Sequence, residues 1–410
     1  MPLPETPLKR TPQNRAALLL LCLSFAFAAT PGLIKAQDEC TTAIITGAGT
    51  VDGRPLLWKN RDTDDLSNKV VFVDDVPHKY LGVVNAADTS GRITWGGLND
   101  AGFAIINTVA YNLPKSGGLD DLEGHVMGDA LRTCATVDDF EQYLKRNLGP
   151  GLGSWTNYCV IDARGGAAIF ETHNKGYVRL PADTAVGGCL LNTNFSRSGR
   201  ANEGAGYLRF DREERLFGTI SPGGFSRDFI LQTAARDLGH PLLLNPEPET
   251  WKNLPADRPY WVHTNHTINR SGTASTVLIH GAKPGQDPSA ATLWVILGEP
   301  VCSIALPLWV AAGQTPPQLR EGKDAPIAAE ALRLRKILHP LPGSDRSEYA
   351  DITRLDNSAG TGWLPGLKKT EREIFAATDE LLLTSPTPRQ LADFQITTAA
   401  RALTVLKAAR

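Results

Sequence analysis

Apolar residues fall along this chain in two textures. From Cys40 to about Gly313 they come as short alternating or continuous runs: Val70-Val71-Phe72-Val73, Tyr80-Leu81-Gly82-Val83-Val84, Gly102-Phe103-Ala104-Ile105-Ile106, Tyr158-Cys159-Val160-Ile161 and Ala167-Ala168-Ile169-Phe170. Runs of this length and period predict strands. Helical spacing interrupts them. Residues 122–134 and 137–148 repeat apolar positions at three and four, with Thr136 and Asp138-Asp139 where a helix N-terminus takes a cap and acids. Further helices are expected over Tyr207–Phe217 and 229–238, and strands return at 274–280, 291–297 and 303–306 after a Pro/Gly/Glu-rich loop at 241–255. Strands before and after paired helices predict a layered α+β fold rather than a regular βαβ wind. From Gln314 onward helix formers take over, at 327–338, 370–383 and 387–409, with a Gly/Asp/Ser-rich segment at 342–365 joining the first two. This reads as a helical C-terminal extension packed on the core; a partner-binding or oligomerisation arm is the alternative.

The first residues read as targeting. Lys9, Arg10 and Arg15 precede an apolar stretch at 16–29 that is too short for a comfortable membrane span, and Ala26 and Ala28 fit a signal-peptidase site. The expected organisation is a signal peptide at 1–29, a short propeptide or linker at 30–39, one main domain at 40–313 and the helical extension at 314–410. That predicts export, periplasmic or secreted, with no stable membrane insertion once the signal is removed. Cys22 sits inside the leucine run without the small residues that precede a lipidated cysteine, so it is expected to be discarded. Lysine plus arginine total 42 against 44 acids, a net charge of −2, and no long basic run occurs, which gives nucleic-acid binding no electrostatic support. Five cysteines remain after the signal: Cys40, Cys134, Cys159, Cys189 and Cys302. They form no dense framework and no CxxC metal pattern. With Cys40 free, the other four either make two bridges or pack as small hydrophobes.

Candidate chemistry begins at Cys40-Thr41-Thr42. Behind it come Ala43-Ile44-Ile45-Thr46, a turn with Gly47, Gly49 and Asp52-Gly53, and a second strand, Pro55-Leu56-Leu57-Trp58, running into Lys59-Asn60-Arg61-Asp62. Asp-Gly between apolar runs signals a hairpin, which folds Asn60 to Asp62 back beside Cys40. If Glu39-Cys40 is cut, one residue supplies both a thiol, ordinarily of pKa about 8.5, and an α-amine, of about 7.7 to 8.0, matched to act as its base. A buried or disulfide-bonded cysteine is the plain alternative. The Asp62 carboxylate can hold the new amine by a hydrogen bond; Asp64 and Asp65 read as solvated turn residues.

The Cys-Thr start, the Gly-rich hairpin and Asn60-Arg61-Asp62 together resemble the N-terminal nucleophile (Ntn) hydrolases of the choloylglycine hydrolase, penicillin V acylase and penicillin acyltransferase group. The resemblance implies a four-layer αββα sandwich of two antiparallel sheets and gives Asp62 the amine-holding role. Family members often carry arginine where this chain has Lys59, which keeps the charge without the bidentate fork; Arg61 substitutes if the register differs. Gly97-Leu98-Asn99-Asp100-Ala101-Gly102-Phe103 resembles a family turn and is read as a plain turn, while Asn107 lies near the family's oxyanion donor. Asn192-Thr193-Asn194-Phe195 resembles the Thr-Asn element whose asparagine donates to the oxyanion, so Asn194 is the main donor. Tyr207-Leu208-Arg209-Phe210-Asp211-Arg212 resembles an Arg-Phe-x-Arg segment whose first arginine lies by the nucleophile. That makes Arg209 the candidate and Arg212 its runner-up, although a helix so rich in Arg and Glu reads by composition as a solvated face.

The glycosylation sequons at Asn194, Asn265 and Asn269 read as chance matches. His263, His266 and His280 make a weak zinc signal and read better as loop and core histidines, and residues 269–276, rich in small hydroxyl side chains at the start of a strand, are a candidate lining of the cleft to which no motif assigns a role.

The expectation is thus an exported, self-processing cysteine amidohydrolase or acyltransferase acting on a non-peptide C–N bond of a small N-acyl amide, with no cofactor. A secreted Ntn dipeptidase and a catalytically inactive binding protein on the same fold are the alternatives. Oligomeric state, including a homo-oligomer, is left open.

Overall fold

The computed structural model describes residues 39–74, 76–88, 90–114, 122–148, 151–340 and 348–410. The expected signal peptide and all of the 30–39 segment except Glu39 lie outside them.

Strands β1 (Glu39–Ile45) and β2 (Leu56–Asp62) form the expected antiparallel hairpin. Its turn needs glycine twice: Gly53 has φ +76°, and a Cβ on Gly47 would come within 2.4 Å of the Gly53 carbonyl oxygen. A seven-stranded antiparallel meander follows, in which every neighbour in sequence is a neighbour in space: β3 (Asn68–Val73), β4 (Tyr80–Asn85), β5 (Gly96–Asn99), β6 (Ala104–Val109), β7 (Thr156–Ile161), β8 (Ala167–His173) and β9 (Gly176–Pro181). Between β6 and β7 lie α1 (Glu123–Thr133) and α2 (Val137–Asn147). As the sequence predicts, Thr136 caps α2 by accepting from the Asp139 N–H while the Asp139 side chain accepts from the Thr136 N–H.

The chain then returns to the hairpin. Strand β10 (Cys189–Asn192) pairs with β1, and after α3 (Tyr207–Phe217), α4 (Arg227–Gln232) and the short β11 (Trp261–His263), strands β12 (Thr273–His280), β13 (Thr292–Leu297) and β14 (Leu306–Leu308) complete a six-stranded sheet in the order β10-β1-β2-β12-β13-β14.

Strand alternation lays the two sheets face to face. Ala104 and Ile106 of β6 and Cys159 and Ile161 of β7 join a core with Ile44, Leu57 and Val277 of the six-stranded sheet. Their sequence neighbours Ile105, Tyr158 and Val160 point the other way, into a second core with Met127, Leu131 and Phe140 of α1 and α2. Each such large side chain, fully buried, is worth about 1.5–3 kcal/mol. On the outer face of the six-stranded sheet Trp58 stacks on Phe217 of α3 at 5.9 Å between ring centroids. The molecule is an α+β sandwich of two antiparallel sheets with helices on the outer faces.

The C-terminal helices α5 (Pro326–Leu338), α6 (Leu364–Leu383) and α7 (Pro388–Ala408) belong to the same compact unit as the sheets. Trp294 of β13 meets Phe375 of α6 edge-on at 4.9 Å. Between α5 and α6, β15 (Tyr349–Asp351) pairs with β11, so the segment read as a plain linker contains a strand. The strand expected at 303–306 instead begins at Leu306. The backbone just before it is taken by side chains: the Ser303 carbonyl accepts from Arg236, and the Ala305 N–H donates to Glu371. The helix expected at 229–238 is shorter, α4 giving way to a 3₁₀ turn at Ala234–Arg236. None of the five described cysteines, Cys40, Cys134, Cys159, Cys189 and Cys302, is in a disulfide. Among the described residues, no helix is long and apolar enough to cross a membrane.

Candidate active site

Cys40 sits near the start of β1, 4% exposed, with Arg61 directly across the β1–β2 ladder and Asp62 across from Glu39. The next residue but one on its face, Thr42, touches Cys159 of the other sheet, which places the Cys40 side chain on the side where the sheets meet. Glu39 and Thr41 point the opposite way, toward α3.

Two of the five residues singled out from sequence, Asn194 and Arg209, bond the backbone of Cys40, and a third, Asp62, stands across the ladder from Glu39. The Asn194 Oδ1 accepts from the Cys40 backbone N–H at 2.9 Å and from Arg209 Nη2 at 2.7 Å, and its Nδ2 donates to the Val109 carbonyl at 3.0 Å. Asn194 is placed there because β10 pairs with β1 up to Asn192↔Thr42 and the chain then crosses the β1 terminus. Arg209, fully buried, donates from Nη1 to the Cys40 carbonyl at 2.7 Å and to Thr41 Oγ1 at 2.8 Å. Asp62 stands one residue over in the register. Its Oδ1 accepts from Thr273 Oγ1 at 2.7 Å and its Oδ2 lies 3.6 Å from Arg270 Nη1. Burial pushes the Asp62 carboxyl up to about 6, against the pull of Arg270, Arg209 and the Thr273 hydroxyl; the Glu39 charge pushes it further up.

Asn107 lies on the facing sheet. Its Oδ1 accepts from Lys59 Nζ at 2.6 Å and its Nδ2 donates to Thr156 Oγ1 at 3.1 Å. Lys59, only 1% exposed, also donates to the Trp95 carbonyl. The cation directly opposite Cys40 is Arg61, which bonds Asn68 and lies 4.5 Å over the Trp95 ring.

The other readings resolve individually. Asn99 makes the turn predicted for it, its Oδ1 accepting from Ala101 and Phe103 N–H and its Nδ2 anchoring the end of α1. Arg212 pairs with Asp237 rather than approaching Cys40. Asn194 and Asn269 are fully buried in the folded chain. His263 and His266 stand near His240, their ring centroids 5.9–6.4 Å apart, and His280 bonds Asp52 at 2.9 Å. Among the described residues no group of His, Cys, Asp or Glu is arranged to hold a metal ion.

Two residues of the cluster had no role assigned from sequence. Arg270 comes from a loop ahead of β12, and the Glu39 side chain, pointing at α3, is held by Arg209 and Arg270. Against Arg209, the solvated-face reading fails for a visible reason: Arg209, Glu213 and Phe217 are the buried face of α3, spaced at four.

No family model matches the chain, and no curated protein does. Solved structures similar to it include an N-acylethanolamine-hydrolyzing acid amidase ortholog of Caenorhabditis elegans, at 14% identity and TM-score 0.39, over 61% of this chain and 95% of that one. A mutant conjugated bile acid hydrolase of Clostridium perfringens follows at 10% and 0.36, over 62% and 89%. The penicillin V acylase of Agrobacterium tumefaciens gives 14% and 0.34, over 66% and 85%. Likeness at this level leaves the chemistry to be read from the residues around Cys40.

Proposed function

We propose that this protein is an exported, self-processing N-terminal cysteine hydrolase of the Ntn type that cleaves, or transfers the acyl group from, the non-peptide amide of a small N-acyl compound. The observation that carries the reading is the bonding of the Glu39-Cys40 peptide: its N–H is held by Asn194, the following carbonyl by Arg209, and Asp62 stands across the ladder.

In processing, the Cys40 thiol attacks the Glu39 carbonyl carbon, the C–N bond breaks, and the acyl group passes to sulfur. Water then hydrolyses the thioester, leaving a Glu39 carboxylate and restoring the thiol beside a free α-amine. That amine, held by Asp62, takes the thiol proton in catalysis and returns it to the leaving amine. Asn194 and Asn107 supply the amide groups for the oxyanion. Arg209 fixes the Asn194 side chain, since it donates to its Oδ1. The test is covalent: an electrophilic amide or lactam analogue should add to Cys40 of the mature protein, located by mass, and a screen of N-acyl amides, bile-salt conjugates, penicillins and dipeptides should yield turnover. An unlabelled Cys40 in folded, mature protein would favour a binding protein.

Because the oxyanion exists only in the transition state, Asn194→Ala should lower kcat about a hundredfold while moving KM little. Steady-state kinetics of the mature variant checks this, and wild-type turnover would remove Asn194 from the site.

Asp62 makes a pH prediction for the uncleaved chain. Its folded pKa, about 6, lies above its unfolded value. Its contribution to stability is therefore fully present below the unfolded value, about 3.9, and is lost as pH rises to about 6. Thermal unfolding of Cys40→Ala should lose stability across that window by an increment that Cys40→Ala/Asp62→Asn lacks. Identical pH profiles would mean that Asp62 is not a buried ionising group.

A further inference from the structure

Glu39 is bound as a ligand would be. Its Oε2 accepts from Arg209 Nη2 at 2.8 Å and from Arg270 Nη1 at 2.6 Å. Neither arginine depends on Glu39 for its position. Arg209 is also tied to Cys40, Thr41 and Asn194, and Arg270 to Asn265 Oδ1 at 2.6 Å. Both are secluded, with side-chain exposures of 0% and 15%.

With Glu39 present, two guanidiniums face two carboxylates, Glu39 and Asp62. Once the chain is cut and the leader departs, Asp62 alone remains against both. Glu213, in the same helix as Arg209, does not take Glu39's place: the ion pairs of Arg209 and Arg270 are with Glu39 and Asp62, and burial pushes the Glu213 carboxyl well above the ordinary range. Cations secluded from water and short of a counter-charge are costly, and an anion of the right reach relieves the cost.

That reach is fixed by the covalent structure of glutamate. Three carbons separate its carboxylate carbon from the carbonyl carbon that Cys40 attacks in processing. We propose that Arg209 and Arg270 form a substrate carboxylate pocket, filled in cis by Glu39 before cleavage, and that the mature enzyme prefers amides of a dicarboxylic acid of glutaryl length. The proposal rests on the reading of Cys40 as the nucleophile.

The test compares N-glutaryl p-nitroanilide with its neutral isostere, in which the distal carboxylate is a carboxamide, on the mature protein that begins at Cys40. The charged compound should have the higher kcat/KM by about a hundredfold, in line with a secluded charged pair. In Arg270→Gln the ratio should fall toward one, and Arg270→Lys, which keeps the charge without the fork, should retain part of it. Equal kcat/KM for the two compounds, with Cys40 acylated, overturns the pocket and leaves the amidase reading standing. A ratio unchanged in both Arg270 variants likewise overturns it. No turnover of either compound together with no acylation of Cys40 overturns both readings.

Discussion

Cys40→Ala is expected to give a chain that is exported and folded, still carries Glu39 and whatever of the leader signal peptidase leaves, and has no amidase activity. The loss is double, because the side chain would be both the agent that frees the α-amine and the nucleophile that the amine then activates. While the Glu39-Cys40 bond is intact, that nitrogen is an amide whose N–H is donated to Asn194, and an amide cannot serve as general base. Folding should be little affected, since Cys40 lies at the start of its strand, before the stretch of β1 that pairs on both edges, Thr42 to Ile45. Cys40→Ser should process slowly. N-terminal sequencing or intact mass, beside an activity assay, checks the outcome. A fully active wild type that still carries residues upstream of Cys40 would rule out the N-terminal nucleophile mechanism.

Glu371→Leu should destabilise the whole molecule by about 3–5 kcal/mol, the cost of leaving a buried partner charge uncompensated. Arg236 and Glu371 are 3% and 0% exposed and pair at 3.0 Å. Around them Arg236 also donates to the Leu231 and Ser303 carbonyls, and Glu371 accepts from the Ala305 N–H and from Gln232. One ion pair thus ties α6 of the C-terminal extension to the end of α4 and to the approach to β14. Removing both charges in Arg236→Met/Glu371→Leu should cost less than removing Glu371 alone. Urea unfolding of the three proteins measures this. A single variant within about 1 kcal/mol of wild type would mean that the extension does not lean on this pair.

Continuous apolar runs were legible in the sequence where a strand buried on both faces carries large apolar side chains, as in β4, β6 and β7. What escaped are elements whose side chains carry little such signal. Strand β5 is Gly-Gly-Leu-Asn, and β9 is half exposed along its length. The β11–β15 pair joins segments far apart in the chain, each too short to show a period. The site divides in the same way. Asp62 could be placed from local order because the β1–β2 hairpin folds it back beside Cys40, whereas Asn194, 154 residues from Cys40, could be placed only by the family resemblance of its Thr-Asn element. Arg270 could be placed by neither, since it is an ordinary-looking loop arginine whose meaning comes only from Glu39 and Asp62 across the fold. Arg209 and Glu213 break the usual rule for charged helix faces, and their burial at spacing four with Phe217 is the trace that a strict periodicity count of α3 would have caught.

The bond proposed to be cut is part of the strand ladder, with Glu39 and Cys40 paired to Asp62 and Arg61 and Cys40 almost sealed from solvent. A second molecule could reach that bond only after the end of β1 had peeled away from β2, which would also separate it from Asp62 and Arg61. If Cys40 is freed by cleavage as proposed, each chain must therefore mature alone. Processing should be first order, with a half-time indifferent to dilution, and an excess of already active enzyme should leave the Cys40→Ala chain uncut.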